Sequence, residues 1–406
     1  MHVRKNKKPE LTIEQQLARG PVDLPFLMLT LLLVGIGLVM VLSASYASAY
    51  YDKDAGFNAR YYFNRQATFA VAGVVAMYLV SRFDYQRWRG LSFFVLAGAV
   101  FLLLLVKVPG LGVTVNDATR WLKLPGVPQF QPSELAKLAV ILYFSARLSK
   151  RKEGVRRPYD PRRPGGKALN RLHDVGFLEL VPYGAVLVMF VGLLYLEPHM
   201  SATILILVVG ASILFAAGIS LGWFALAGGL MAILLGLIIS TTHYMTRRID
   251  LWKNPWVEPL NGGLQAIQSL LAIGSGGLLG LGLGNSRQKF LYLPEEHNDF
   301  IFSIVCEELG LIGAALILVL FALLIIRGYW LALHARDRFG SLLIVGVTTL
   351  LAFQVFLNVA VVTNLMPVTG ISLPFFSYGG TALMIQLAEM GIVLSVSRQI
   401  PAQKSD

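Results

Sequence analysis

Apolar and polar residues fall along this chain in long blocks rather than in short alternations. Ten apolar runs stand out, at residues 24–45, 66–81, 91–108, 133–148, 178–196, 201–218, 222–242, 300–326, 341–363 and 381–397. A helix needs about 20 mostly apolar residues to cross ~30 Å of hydrocarbon, and these runs reach or approach that length. The pattern predicts an all-α polytopic membrane protein with about ten transmembrane helices, forming a single membrane domain over residues 24–397.

Composition points the same way. Of 406 residues, 55% are hydrophobic and only 14% charged, against about 25% charged in soluble domains. The first apolar run is too long for a cleavable signal, and no small-residue cleavage site with a mature domain follows it. The single cysteine, Cys306, excludes an internal disulfide and a cysteine metal cage, and its helical surroundings read as a packed thiol.

The formal net charge of +12 would suggest nucleic acid in a soluble chain. Here topology accounts for it, because Lys and Arg accumulate in cytoplasmic loops. With the N-terminus inside, inner segments carry 23 Lys and Arg and outer ones 11, and residues 147–171 alone carry ten. This predicts both termini in the cytoplasm, with tails at 1–23 and 398–406 and a basic cytoplasmic loop at 147–177. No nucleic-acid partner is expected.

That orientation leaves loops 109–132, 243–299 and 364–380 outside. The segment 243–299 is too apolar for disorder and too long for a plain linker. Leu264, Ile267, Leu270 and Leu271 give it a helical period, so short amphipathic or re-entrant helices are expected between spans seven and eight.

The candidate chemistry gathers at the end of this loop. Arg287 and Lys289 precede Glu295, Glu296, His297 and Asp299, and the chain then turns apolar. Asp299 is open to two compatible roles. It can cap the following helix, or act as a partly desolvated general base with a raised pKa. Glu134 and Lys137, three apart on one helix face, suit a structural ion pair or a cation that Glu134 positions in a polar cavity. Arg120, Arg247, Arg248 and Lys289 are outer cations that suit lipid phosphate or an anionic substrate.

Other polar features are less specific. The glycines of 275–284 lack the strand–loop–helix context and GK[ST] ending of a nucleotide loop. Flexible backbone or close helix packing explains them better. Glu307 and Glu308 should lie ~12 Å deeper than Asp299 at 1.5 Å per residue, too far to share its proton. They read as functional acids or as a polar lock between helices. Glu197-Pro198-His199 marks a tight outer hairpin, and one histidine makes no metal site. Ser377-Tyr378-Gly379-Gly380 reads as a turn open to ligand contact.

Several long motifs occur in order: FQPSELAK at 130–137, QSLLAIGSGG at 268–277, GLGNSRQKFLYLPEEHNDFIF at 282–302, EELG at 307–310 and LPFFSYGG at 373–380. Together they resemble the SEDS family (shape, elongation, division and sporulation proteins: FtsW/RodA/SpoVE) over nearly the whole chain. QKFLYLPE looks more like the FtsW/SpoVE branch than RodA. The usual His-Thr-Asp is His297-Asn298-Asp299 here, a common Gln/Glu-Pro-Asp is Glu197-Pro198-His199, and Gly-Ala-Arg-Arg-Trp is Asp117-Ala118-Thr119-Arg120-Trp121.

The resemblance implies a ten-span bundle in the bacterial cytoplasmic membrane that polymerises lipid II into glycan strands. Its implied partners are a class B penicillin-binding protein and other divisome or elongasome membrane proteins. Asp299 matches the family's essential carboxylate, and Arg120 and Lys137 match positions considered functional. The candidate substrate contacts are Arg120, Glu134, Lys137, Arg247, Ser275, Gln288, Lys289, His297 and Ser377. No metal ligands are assigned. A divalent cation, magnesium or manganese, is the only cofactor for which the chemistry has a use, and no organic cofactor is expected. The competing readings are a lipid II flippase and a non-catalytic scaffold that activates its transpeptidase partner.

Overall fold

The computed structural model describes residues 20–53, 55–115, 118–126, 128–151, 176–229 and 243–400. The terminal tails, most of the basic loop 147–177 and the second half of the run 222–242 lie outside the described residues. Within them the chain is a helical bundle, and three of its helix starts are capped by an aspartate. Helix α1 (Leu24–Tyr51) opens with Asp23 accepting from the Phe26 amide at 3.0 Å and a proline in its first turn. Helices α2 (Tyr61–Arg82) and α3 (Tyr85–Leu105) follow, the latter capped by Asp84. Then come α4 (Pro132–Leu148), α5 (Phe177–Leu196) and α6 (Met200–Ala216).

A helical stretch is described over 221–229. The long loop holds two short helices, α7 (His243–Lys253) and α8 (Leu264–Gly276), joined through a 3-10 turn at Pro255–Val257. Helices α9 (Ile301–His334), α10 (Arg338–Val362) and α11 (Gly380–Ser397) complete the bundle. Asp337 caps α10, and an Asp23–Arg327 ion pair ties the start of α1 to the far half of α9.

By length and composition six of these helices can cross a membrane: α1, α3, α5, α9, α10 and α11. α6 is apolar but shorter. α4, with 17 residues, is buried on nearly every side, packed between α3, α6 and α10. A helix wrapped by others meets no lipid, so it can be short and can carry Glu134 and Lys137. α2 runs along α11 in the most extensive helix pair of the bundle.

Two features differ from the hydropathy reading. Loop 109–132 contains an antiparallel hairpin, β1 (Gly112–Val115) with β2 (Ala118–Leu122), extended by a bridge from Leu122 to Phe130. The all-α expectation missed it because Val113, Thr114 and Val115 form a β-branched run far shorter than any span. Helix α9 is also broken at Gly310, where φ is 66° and ψ −172°.

The glycine-rich segment after α8 fills that break. The Leu281 and Gly282 amides donate to the Glu307 and Glu308 carbonyls at 3.0 Å each. The Leu311 and Ile312 amides donate to the Gly277 and Leu278 carbonyls at 2.9 and 3.2 Å. Backbone groups freed by the kink are thus satisfied by an inserted loop. A Cβ on Gly280 would sit 2.2 Å from the Glu308 carbonyl oxygen, and one on Gly310 2.3 Å from the Gly280 nitrogen. The glycines serve close backbone approach.

Candidate active site

Asp299 lies in the turn before α9 but does not cap it. The cap residue is Phe300, and no side chain bonds the helix end. The carboxylate is therefore not engaged by the helix terminus. Its backbone is firmly placed instead. The Asn358 side-chain amide, fully buried in α10, donates to the Asp299 carbonyl at 2.8 Å and to the Ile371 carbonyl at 2.7 Å. Ser377 Oγ donates to the Asn298 carbonyl at 2.8 Å, and the Tyr378 amide donates to the His297 carbonyl at 2.8 Å. Gln66, fully buried in α2, donates to the Ser377 carbonyl and accepts from the Gly379 amide, both at 3.1 Å.

Residues 297–299 are thereby fixed to the loop 371–379 from two sides. Gly370, with φ 70°, comes so close that a Cβ there would lie 3.1 Å from Asp299 Oδ2. Burial, then the nearby Glu295 charge, lifts Asp299 from its ordinary 3.8 to about 6, against the opposing pull of Arg120 and His297. Such a carboxyl is still mostly ionised at neutral pH and is a better base than an ordinary aspartate.

Arg120 reaches the site from β2. Its guanidinium donates to the Glu197 carbonyl at 3.4 Å and to the Pro198 carbonyl, so it joins the hairpin to the α5–α6 connection. Its charge acts on Asp299, Glu197 and His199 alike. Glu197 is 1% exposed, and its carboxyl oxygens find no hydrogen-bond partner among the described residues. Burial raises it to about 7 despite Lys107 and Arg120. His199 is pushed the other way, to about 3, by burial and by the Arg120 and Lys137 charges, so its imidazole is neutral. On the next turn Ser201 Oγ donates to the Thr369 and Gly370 carbonyls. This closes a path from Arg120 through 197–201 and 369–370 to Asp299.

Lys137 and Glu134 pair at 2.8 Å with both side chains almost fully buried. Glu389 of α11, 4% exposed, lies within reach of both charges. The cation sits in a three-group cluster, and its charge is felt at His199. The structure thus brings Arg120, His297 and Ser377 to Asp299 or its flanking backbone, while Lys137 and Glu134 reach it only indirectly, through the Lys137 charge on His199.

The other candidates belong to other networks. Lys289 is 3% exposed and bonds Glu308 at 3.0 Å, with Ser43 and the Gly284 carbonyl as further partners. Glu307 accepts from the Arg287 amide at 2.9 Å and from Ser286 Oγ. Glu307 and Glu308 therefore lock the loop 284–289 onto α9, and among the described residues only the Ser43–Glu308 bond, 2.7 Å, joins two helices as a lock between helices would. The Gln288 amide also points to Glu307, at 3.4 Å. Arg247 forms an exposed ion pair with Glu258, Arg248 donates to the Val368 carbonyl, and Ser275 bonds the Ala272 carbonyl of its own helix.

Sequence reading missed Asn358, Gln66, Glu389 and Gly370. Asn358 and Glu389 carry a usable signal, since each is a polar residue inside an apolar run, where polar side chains bond across helices.

A multi-helix membrane bundle with a raised, half-buried carboxylate beside an arginine defines an integral membrane protein with an acid–base site at a loop between its helices. The chain belongs to the FtsW/RodA/SpoVE family of cell cycle proteins, whose family model matches residues 24–401. It is 41% identical over 380 residues to a probable peptidoglycan glycosyltransferase FtsW of Geobacter sulfurreducens, covering 93% of this chain and 95% of that one. It is 41% identical over 379 residues to stage V sporulation protein E of Bacillus subtilis, covering 93% and 97%. Among solved structures it matches a chain of a peptidoglycan synthase complex that coordinates polymerization and crosslinking, with TM-score 0.70, 30% identity, and 93% and 98% of the two chains covered. It also matches Thermus thermophilus rod shape determining protein RodA, with TM-score 0.65, 28% identity, and 93% and 97% covered.

Proposed function

We infer that this chain is a peptidoglycan glycosyltransferase that polymerises lipid II at the outer face of the bacterial cytoplasmic membrane, with both termini in the cytoplasm. The observation that carries the reading is Asp299, a carboxyl raised to about 6 and fixed between α9, α10 and the 370–379 loop in a chain of this family. Asp299 takes the proton from the 4-hydroxyl of the acceptor's N-acetylglucosamine. That oxygen bonds the anomeric carbon of the donor's N-acetylmuramic acid with inversion, and the carbon–oxygen bond to the polyprenyl diphosphate breaks. The bonding electrons leave with the diphosphate, so no second acid is required as in a glycosidase.

Arg120 supplies the positive field for the departing diphosphate, while the buried Lys137 has its charge largely offset by Glu134. The Arg120 charge is felt at Asp299 itself, and a guanidinium binds phosphate oxygens in a bidentate way. Lipid-tethered reactants would arrive confined to two dimensions and partly oriented. Among the described residues no three His, Cys, Asp or Glu side chains converge as a metal cage. A divalent cation would be held by a carboxylate together with the diphosphate oxygens and would offset the leaving group's charge. The basic tails and a partner transpeptidase of the class B penicillin-binding type fit the same assignment, supported by the synthase complex that the fold resembles.

The test is purified protein with and without such a partner, given labelled lipid II and a divalent cation in the presence of moenomycin. Glycan ladders that vanish with Asp299→Asn support the reading. Folded protein that moves lipid II across liposomes without lengthening it would replace it with a flippase. Ladders undiminished in Asp299→Asn would remove the base.

A further inference from the structure

Three aromatic rings from three separate elements meet next to Asp299, and the mechanism above uses none of them. Tyr62, in the first turn of α2, lies 4.7 Å from the His297 ring at 32° and 5.0 Å from the Tyr378 ring at 78°. His297 and Tyr378 are 5.7 Å apart at 62°. All three are half-buried, neither sealed in the core nor free in solvent.

Their placement is fixed from behind. Tyr62 OH donates to Asp52 at 2.8 Å. The Tyr378 amide is held by the His297 carbonyl, and the flanking backbone by Gln66. The Tyr62 hydroxyl is engaged and one ring face packs on His297, so what the half-buried side chain offers is the remaining ring surface. Single tyrosines at a membrane interface are ordinary. Here the rings converge on residue 297, two positions before the proposed base, and share its rigid support.

A pyranose ring presents a face of C–H bonds of partial positive charge, which suits the negative face of an aromatic ring. Its hydroxyl and acetamido groups project from the rim, and Asp299 is two residues from His297 and feels its charge. We propose that Tyr62, Tyr378 and His297 form a stacking subsite for the acceptor's terminal N-acetylglucosamine, which presents that sugar's hydroxyl to Asp299. This rests on the glycosyltransferase reading above. It adds which surface grips the acceptor.

The test uses the full chain in nanodiscs and two readouts. Binding without turnover is read by saturation-transfer NMR with an N-acetylglucosamine trisaccharide on the Asp299→Asn protein, alone and combined with ring variants. Turnover is read as KM and kcat for lipid II in the parent. Tyr62→Ala and Tyr378→Ala should each raise KM about tenfold, the loss expected of one aromatic contact, and weaken saturation transfer, with kcat falling less. Tyr62→Phe keeps the ring and should rescue both. If Tyr62→Ala fails to fold by thermal melting, Tyr62→Leu and Tyr62→Trp replace it, and the tryptophan should bind where the leucine does not. Trisaccharide signal and KM that ignore the loss of the rings overturn the subsite. Failure of the glycosyltransferase reading would show separately, as no Asp299-dependent polymer.

Discussion

Asn358 holds Asp299 by its backbone: one side-chain amide about one turn from the C-terminal end of α10 reaches the Asp299 carbonyl at 2.8 Å and the Ile371 carbonyl at 2.7 Å. The carboxylate is thus aimed by a residue that need not touch substrate. Asn358→Leu would leave two carbonyls without a donor in a dry interior, at about 1–3 kcal/mol each. We expect a lower melting temperature and a kcat reduced at least tenfold, with a smaller change in KM. Asn358→Ala should behave alike, whereas Asn358→Gln should recover part of the stability but not the rate. Steady-state lipid II kinetics beside thermal melting would check this.

Asp299 should set the acidic limb of activity. A base works when deprotonated, so kcat/KM should rise tenfold per pH unit up to about 6 and level off above it. Glu295 is one cause of the raised value, so Glu295→Gln should move the limb to lower pH. A pH–rate profile of the two proteins decides the matter.

The same shift has a cost in stability. Between 3.8 and about 6 the folded chain binds more protons at Asp299 than the unfolded chain. Stability contributed there is therefore lost as pH rises through that window and stays lost above it. Asp299→Asn should melt higher than the parent at pH 7.5, and the gap should close near pH 4. Melting curves at the two pH values test the sign.

Much of this was legible in the sequence. Hydropathy gave the helical runs, and the spacing of Glu134 and Lys137 gave their pair. Asp299 stood out as the last acid before an apolar helix. What stayed hidden depends on non-local packing. Nothing in a linear pattern shows that Asn358 reaches back to residue 299, or that Lys289 is buried against Glu308 rather than facing solvent. The hairpin at 112–122 was too short for a span-length reading. The run at 275–284 was open to flexible backbone or close packing, and only the break at Gly310 shows which the glycines serve.

Lys289 and Glu308 make a buried ion pair, with side chains 3% and 0% exposed. Lys289→Met would strand the Glu308 charge with Ser43 as its remaining side-chain donor, a loss of about 3–5 kcal/mol. Lys289→Met with Glu308→Gln should recover most of it, since neither charge then remains. A double-mutant cycle by thermal melting measures the coupling. At a temperature where the single variant is folded, its KM for lipid II should match the parent, as expected of a lock rather than a ligand.

The glycines at the α9 break give the sharpest contrast. Gly280 and Gly310 have φ of 79° and 66°, and an added Cβ at either would lie well under 3 Å from backbone of the other segment. Backbone cannot swing aside as a side chain can, so Gly280→Ala and Gly310→Ala should each lose about 3 kcal/mol or more and yield little folded protein. Gly98, inside α3, has nothing within 4 Å of its added Cβ. Gly98→Ala should be neutral or gain up to about 1 kcal/mol from helix propensity. Expression level and melting temperature of the three variants would separate a break that the loop must fill from a glycine that is merely tolerated. If Gly310→Ala folded as well as Gly98→Ala, the inserted loop would not be what holds the two halves of α9.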